Sequence, residues 1–242
     1  MIPPVSIADL ILAFICFGIT LQLLRDHKGS KAQLIHYFIF FYIFFGISFF
    51  FFSIPELFSK NATVITVFNI LSYFSFYLAL AYIAQVPFSL LGRSGMATAM
   101  FYISFIFGLF FLVMRFLTFQ PSEAQVMGQF IYWKPIYAGW LRSATGVFSG
   151  LIAIITMIVF FTQGVKHRQN HLIFVRSMWL GTGLLFLLFS SLSTYALNPG
   201  ATFTPVIVST ILAIIGFLCI FVGVRFKAEH DETENPPAES DV

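Results

Sequence analysis

The chain has few charged residues for its length. Of its 242 residues only 10% are charged, while 59% are hydrophobic and the mean hydropathy is +0.91. Soluble domains are about a quarter charged. Polar residues this scarce could not cover so many apolar ones, so the composition excludes a soluble globular domain and indicates an integral membrane protein.

Cysteine is also scarce, and the histidines do not form a convincing metal site. Cys16 and Cys219 lie within apolar stretches at opposite ends of the chain, which gives no evidence of a disulfide framework. His167 and His171 are spaced to share one helix face. The lysine and arginine that flank His167 would repel a cation, so we favour a basic stripe facing anionic lipid and expect no metal and no cofactor.

Long apolar stretches make up most of the chain. Seven are long enough to cross a bilayer, which takes about 20 apolar residues. They cover residues 5–24, 33–54, 63–85, 97–117, 143–161, 171–192 and 205–224. The sequence therefore predicts an all-α membrane protein with one seven-helix domain over residues 1–225. The acidic, proline-containing tail 226–242 should be disordered, either as a solvated segment or as a docking segment.

The distribution of lysine and arginine predicts the orientation. Nine of the 13 basic residues fall on one side of the membrane: Arg25, Lys28, Lys31, Arg93, Lys166, Arg168, Arg176, Arg225 and Lys227. The other side carries four: Lys60, Arg115, Lys134 and Arg142. The positive-inside rule then places the N-terminus outside and the C-terminus in the cytoplasm of a cytoplasmic (inner) membrane, crossed several times.

The predicted spans contain almost no ionisable groups. Asp9 is the only acidic residue that we assign to a span, and no lysine falls inside one. A retinal protein needs a lysine in its last helix, and an ion pump is expected to carry a carboxylate near mid-depth. No nucleophile with a base, paired aspartate or HExxH motif lies within the spans, so we expect no enzyme.

Charged residues gather instead near the predicted outer surface. Asp9, Arg115 and Arg142 lie at helix ends there, and Glu123 and Lys134 lie in the loop 118–142. They could line an outward-facing pocket. Two other interpretations stay open. Arg115, like Arg176 on the opposite side, could extend its guanidinium to water, and Asp9 could form an ion pair with Arg115 or Arg142.

Several helices carry a face of small or polar residues. We interpret these faces first as packing seams, although a ligand cavity or a homodimer would use the same residue types. The faces are Asn69, Ser72 and Tyr73 on the third helix, Gly146 and Gly150 on the fifth, Arg176, Trp179, Gly183, Ser190, Ser191 and Thr194 on the sixth, and Ser209, Ala213, Gly216 and Gly223 on the seventh.

The loop 118–142 is the longest connector and is rich in aromatic residues. Residues 128–135 favour β structure, which predicts a short hairpin or flap across the outer mouth of the bundle. The alternative is an anchor at the membrane surface, where Trp133 and Trp140 would sit among the lipid headgroups.

Three features together resemble the seven-helix N-terminal sensor module of bacterial histidine kinases and diguanylate cyclases. They are the bundle with its N-terminus outside, the run Tyr132-Trp133-Lys134-Pro135-Ile136-Tyr137 leading into the fifth helix, and Thr204-Pro205 at the entry to the last helix. The resemblance implies a sensor module without its own output domain, which would need a separate partner or have a different role.

We therefore expect a sensory or receptor-like module that binds a small or apolar ligand, or senses the bilayer, and signals to a cytoplasmic partner. The candidate ligand-binding residues are Asn69, Tyr73, Arg115, Tyr132, Trp133 and Arg142. A small transporter or channel subunit and a membrane assembly or scaffold protein are the alternatives. The expected partners are the lipid bilayer, a cytoplasmic signalling protein and a second copy of the chain, with no nucleic acid.

Overall fold

The computed structural model describes residues 3–26, 33–195 and 203–234, and this part of the chain contains seven helices and a two-stranded hairpin. All seven helices are long and apolar enough to cross a membrane, which confirms the prediction of seven membrane-length helices. In chain order the elements are α1 Pro4–Asp26, α2 Gln33–Phe58, α3 Ala62–Leu90, α4 Ser94–Leu117, β1 Glu123–Met127, β2 Phe130–Lys134, α5 Gly139–Lys166, α6 His171–Tyr195 and α7 Phe203–Glu234.

Most helices extend beyond the predicted spans because polar residues can continue a helix outside the hydrocarbon. α2 continues through Pro55 and Glu56, and α3 starts at a cap in which the Asn61 side chain accepts a hydrogen bond from the Thr63 amide at 2.9 Å. α7 continues to Glu234, past the predicted start of the tail. Residues 235–242 lie outside the described residues, and the disorder of the tail stays a prediction.

Consecutive helices pack as neighbours except α4 and α5, and α7 returns to pack beside α1. α5 packs against α3 and α6 and contacts α4 through side chains such as the stacked rings of Phe107 and Phe148. α3 is the most buried helix and contacts α2, α4 and α5. The start of α1, the ends of α2 and α4, and the starts of α3 and α5 share one end of the bundle with the hairpin, and we call it the hairpin end. The opposite end carries most of the basic residues, and we call it the basic end. The positive-inside rule predicts that the basic end faces the cytoplasm.

Phenylalanine and tyrosine rings fill the core between α2 and α7. The Tyr42 hydroxyl donates a hydrogen bond of 2.7 Å to the Phe217 carbonyl, and the Phe217 ring packs against the Phe41 and Phe45 rings. Lipid tails are themselves apolar, so close packing and a few hydrogen bonds across helices hold such a bundle together.

Glycines form the seam between α6 and α7. A Cβ atom on Gly183 would lie 2.7 Å from the Gly216 carbonyl oxygen, and the Ser190 hydroxyl donates to the Ser209 carbonyl at 2.8 Å. The glycines and serines of this seam therefore serve helix packing, as the first interpretation held. Trp179 and Ser191 of the predicted α6 face are exposed instead. Gly146 and Gly150 on α5 differ, because nothing lies within 4 Å of a Cβ at either position. They form no packing seam with the described part of the bundle.

Candidate functional site

The loop before α5 forms the predicted hairpin. β1 and β2 pair antiparallel from Glu123 opposite Lys134 to Met127 opposite Phe130, and a two-residue turn joins them. Gly128 begins that turn with a φ of +62°, a conformation that favours glycine. Glu123 and Lys134 are both exposed as a cross-strand pair, so they do not line an internal pocket.

Buried hydrogen bonds fix both bases of the hairpin to the helices. At the first base, the Ser122 amide donates to the Thr66 hydroxyl at 2.7 Å, and the two hydroxyls lie 2.9 Å apart. At the second base, the Arg115 guanidinium donates through Nη1 to the Ile136 carbonyl at 2.6 Å. β2 also contacts α1. The hairpin is thus connected to α1, α3 and α4.

Arg115 is the most unusual residue at this end. Its side chain has no exposed surface, so the expectation that it extends to water is wrong. The segment after β2 covers it and supplies the Ile136 carbonyl, and the Tyr137 ring lies 4.5 Å from the guanidinium carbon. Nε and Nη2 have no hydrogen-bond partner among the described residues. The sequence left open an ion pair between Arg115 and Asp9. In the structure Arg115 hydrogen bonds to the Ile136 carbonyl instead.

Tyr137 brings two of the predicted site residues together. Its hydroxyl lies 3.3 Å from the Tyr73 hydroxyl, while its ring stacks beneath Arg115 and packs edge-on against Phe111. Tyr137 itself was missed as a candidate. The available signal was its position at the end of the aromatic run that leads into α5.

Asn69 lies one helical turn from Tyr73 on α3, toward the hairpin end. It is buried, and its Oδ1 atom has no hydrogen-bond partner among the described residues. Ser72 on the same face hydrogen bonds to the Ser48 carbonyl at 2.8 Å and so serves helix packing. An unpaired buried amide oxygen is costly and marks Asn69 as part of an incompletely paired polar region.

A second polar cluster lies between α1 and α2 at the same end. The Ser6 hydroxyl donates to Glu56 Oε2 at 2.5 Å, and both residues are buried. The predicted second span stopped at residue 54, so Glu56 was missed. The statement that Asp9 is the only acidic residue in a span is therefore wrong. Asp9 lies half-buried on α1, near enough to Glu56 for their charges to interact.

Tyr132 and Arg142 belong to this second cluster. Burial raises the pKa of the Tyr132 phenol, the negative charge of Glu56 raises it further, and the Arg142 cation opposes this shift. A raised pKa keeps the phenol protonated and able to donate a hydrogen bond. Arg142 is exposed, so of the two residues only Tyr132 is partly enclosed.

The two tryptophans near the hairpin have different environments. Trp133 is only 7% exposed, so the interpretation that it anchors in lipid headgroups is wrong. Side chains alternate between the two faces of a strand, and Trp133 is on the buried face of β2. Trp140 is 52% exposed and lies beside the Phe110 ring, as expected for a residue at the membrane surface.

The hairpin end contains groups that could bind a ligand. It offers a buried cation with two unbonded nitrogens, an unpaired amide and several aromatic rings. The described residues contain no group of three histidine, cysteine or acidic side chains that could hold a metal. No protein-family model and no curated protein matches the chain.

Proposed function

We propose that the chain is a sensory or receptor-like membrane module that binds a small anionic ligand at the hairpin end and signals through its helices to a cytoplasmic partner. The observation that carries the proposal is the buried Arg115 guanidinium, of which only Nη1 is hydrogen bonded to a described residue. The ligand is a carboxylate or similar acceptor that completes this hydrogen bonding.

Energetics support an anionic ligand. Burying a charge without a partner of opposite sign costs several kcal/mol, and each buried donor left unpaired costs about 1–3 kcal/mol. The Tyr137 ring offsets part of this, since a cation over an aromatic face gains about 0.5–2 kcal/mol. A carboxylate that reached Nε and Nη2 would form the paired hydrogen bonds that arginine makes best.

A route for the signal follows from the hairpin contacts. The ligand must bind one arrangement of the helices more tightly than another, because only differential affinity shifts a conformational equilibrium. Arg115 joins α4 to the segment after β2, and Thr66 joins α3 to the segment before β1. A ligand that moves the Arg115 side chain therefore acts on both helices, and α3 runs through the bundle to the basic end.

A thermal-shift series tests the ligand class. The full chain in lipid nanodiscs is heated with acetate, hexanoate, benzoate or inorganic phosphate. We expect at least one of these anions to raise the melting temperature, because a ligand at 100 times its Kd stabilises the folded state by about 2.7 kcal/mol. The shift should disappear in Arg115→Met and persist in Arg93→Gln, a control that removes an exposed cation at the basic end. Stabilisation that survives Arg115→Met contradicts the proposal.

A small transporter is the second candidate, and the acidic pair Asp9 and Glu56 favours it. Carboxyl groups in membrane helices often mark ion or proton paths, and Glu56 is buried beside Ser6. Proteoliposomes loaded with a pH-sensitive dye separate the two candidates. Substrate-driven proton flux that Glu56→Gln abolishes would favour transport, whereas binding without flux would favour the receptor.

A further inference from the structure

A cavity of about 250 Å³ lies at the basic end, between α2, α3, α5 and α6. It is at the opposite end from the outward-facing pocket that the sequence suggested. Its polar lining consists of Gln163, His167, Arg176 and Ser177, and every other lining residue is leucine, isoleucine, valine or phenylalanine. One wall is therefore cationic and the rest is apolar.

No described residue neutralises the positive charge at this cavity. None of the described residues that line it is acidic, and Arg176 makes no hydrogen bond or ion pair with any described residue. The connectors at this end add Lys166 and Arg168, both exposed. Asp26, at the same end, is already paired with Arg225 at 2.9 Å.

The size and lining of the cavity define its ligand. Sites that enclose a whole drug-sized molecule have volumes of about 300–1,000 Å³, so this cavity holds only part of a larger molecule. Leu90 and His167 are exposed at its rim, so the remainder can extend outside. A small soluble anion would leave most of the apolar wall uncovered. A molecule with one acidic group and a hydrocarbon chain complements both walls.

We propose that this cavity binds an acidic membrane phospholipid, with the phosphate against Arg176 and His167 and part of an acyl chain against Phe38, Val86 and Leu180. Basic pockets between membrane helices are suited to acidic headgroups because the charges complement each other at the membrane surface. The lipid supplies the anion that Arg176 lacks among the described residues. This site is independent of the ligand proposed at the hairpin end.

Native mass spectrometry of the full chain in mild detergent tests the proposal. Phosphatidylglycerol and phosphatidylcholine with identical acyl chains are titrated separately, and the bound fraction is measured. Both lipids carry a phosphate, but only phosphatidylcholine also carries a choline cation, which cancels its net charge and is repelled by Arg176. We therefore expect phosphatidylglycerol to bind at least about tenfold more tightly. Arg176→Gln should remove that preference. Arg168→Gln is the matched control, since it removes a neighbouring exposed cation that does not line the cavity.

Two further measurements separate the contributions of headgroup and chain. Ile173→Trp narrows the cavity but retains Arg176 and His167, so it should weaken phosphatidylglycerol binding about as strongly as Arg176→Gln does. Inorganic phosphate at millimolar concentration should not displace the lipid. Equal binding of the two lipids by the unmodified chain overturns the proposal. Displacement by phosphate, or an Arg168→Gln effect as large as that of Arg176→Gln, also overturns it.

Discussion

Replacing Arg115 with methionine should leave the stability of the ligand-free protein nearly unchanged. The substitution removes the hydrogen bond to the Ile136 carbonyl, about 1.5–3 kcal/mol for a charged donor, and the contact with Tyr137, about 0.5–2 kcal/mol. It also removes two unpaired buried donors that cost about 1–3 kcal/mol each. The losses and gains are of similar size, so we expect a net change within about 2 kcal/mol of zero.

Thermal unfolding in nanodiscs measures the Arg115→Met effect. For a chain of this length each kcal/mol shifts the melting temperature by about 2–4 °C, so the expected change is below about 8 °C in either direction. Arg115→Lys should be less stable than Arg115→Met, since lysine keeps a buried charge but lacks the planar group that stacks on Tyr137. If Arg115→Met instead costs about 3–5 kcal/mol, Arg115 is one member of a completed structural pair, and the reasoning fails.

Other substitutions test the remaining contacts. Thr66→Val should lower the free energy of unfolding by about 1–3 kcal/mol and increase hydrogen exchange in the hairpin, because the Ser122 amide loses its acceptor. Thr63→Val is the control because Thr63 is exposed, and equal exchange in the two variants would contradict the assigned bond. Gly183→Ala should lower stability by about 1–3 kcal/mol, measured by thermal unfolding, whereas Gly146→Ala on an open face should be neutral or stabilising. Asn61→Ala should cost about 1 kcal/mol by removing the cap of α3, and an unchanged melting temperature would argue against that cap.

Features that depend on local sequence could be predicted. Apolar length was sufficient to locate all seven helices, and the β-favouring aromatic run over residues 128–135 was sufficient to suggest the hairpin. Features that depend on tertiary contacts could not be predicted from the sequence. Arg115 looked able to reach water because its position on α4 is near a membrane surface, but the segment after β2 folds over it. That covering depends on residues 20 or more positions away along the chain.

The end of α2 is a second feature that could not be predicted from the sequence. A proline and an acidic residue usually indicate the end of an apolar span, so the prediction stopped before Pro55 and Glu56. In the structure the Ser6 hydroxyl on α1 donates a hydrogen bond to Glu56. This contact stabilises a buried carboxyl group that a search for apolar residues would leave out of the span. On α5, by contrast, the sequence suggested a contact that the structure does not contain among the described residues. Gly146 and Gly150 look like a packing seam, but nothing in the described part of the chain lies within 4 Å of a Cβ atom at either position.

Identification of co-purified small molecules tests the proposed receptor most directly. The full chain and Arg115→Met are purified side by side from membranes in mild detergent, and the small molecules bound to each are identified by mass spectrometry. The account predicts a small anionic compound that is bound in stoichiometric amount to the unmodified chain and is absent from Arg115→Met. The same compounds on both proteins, or none with an anionic group, would contradict it.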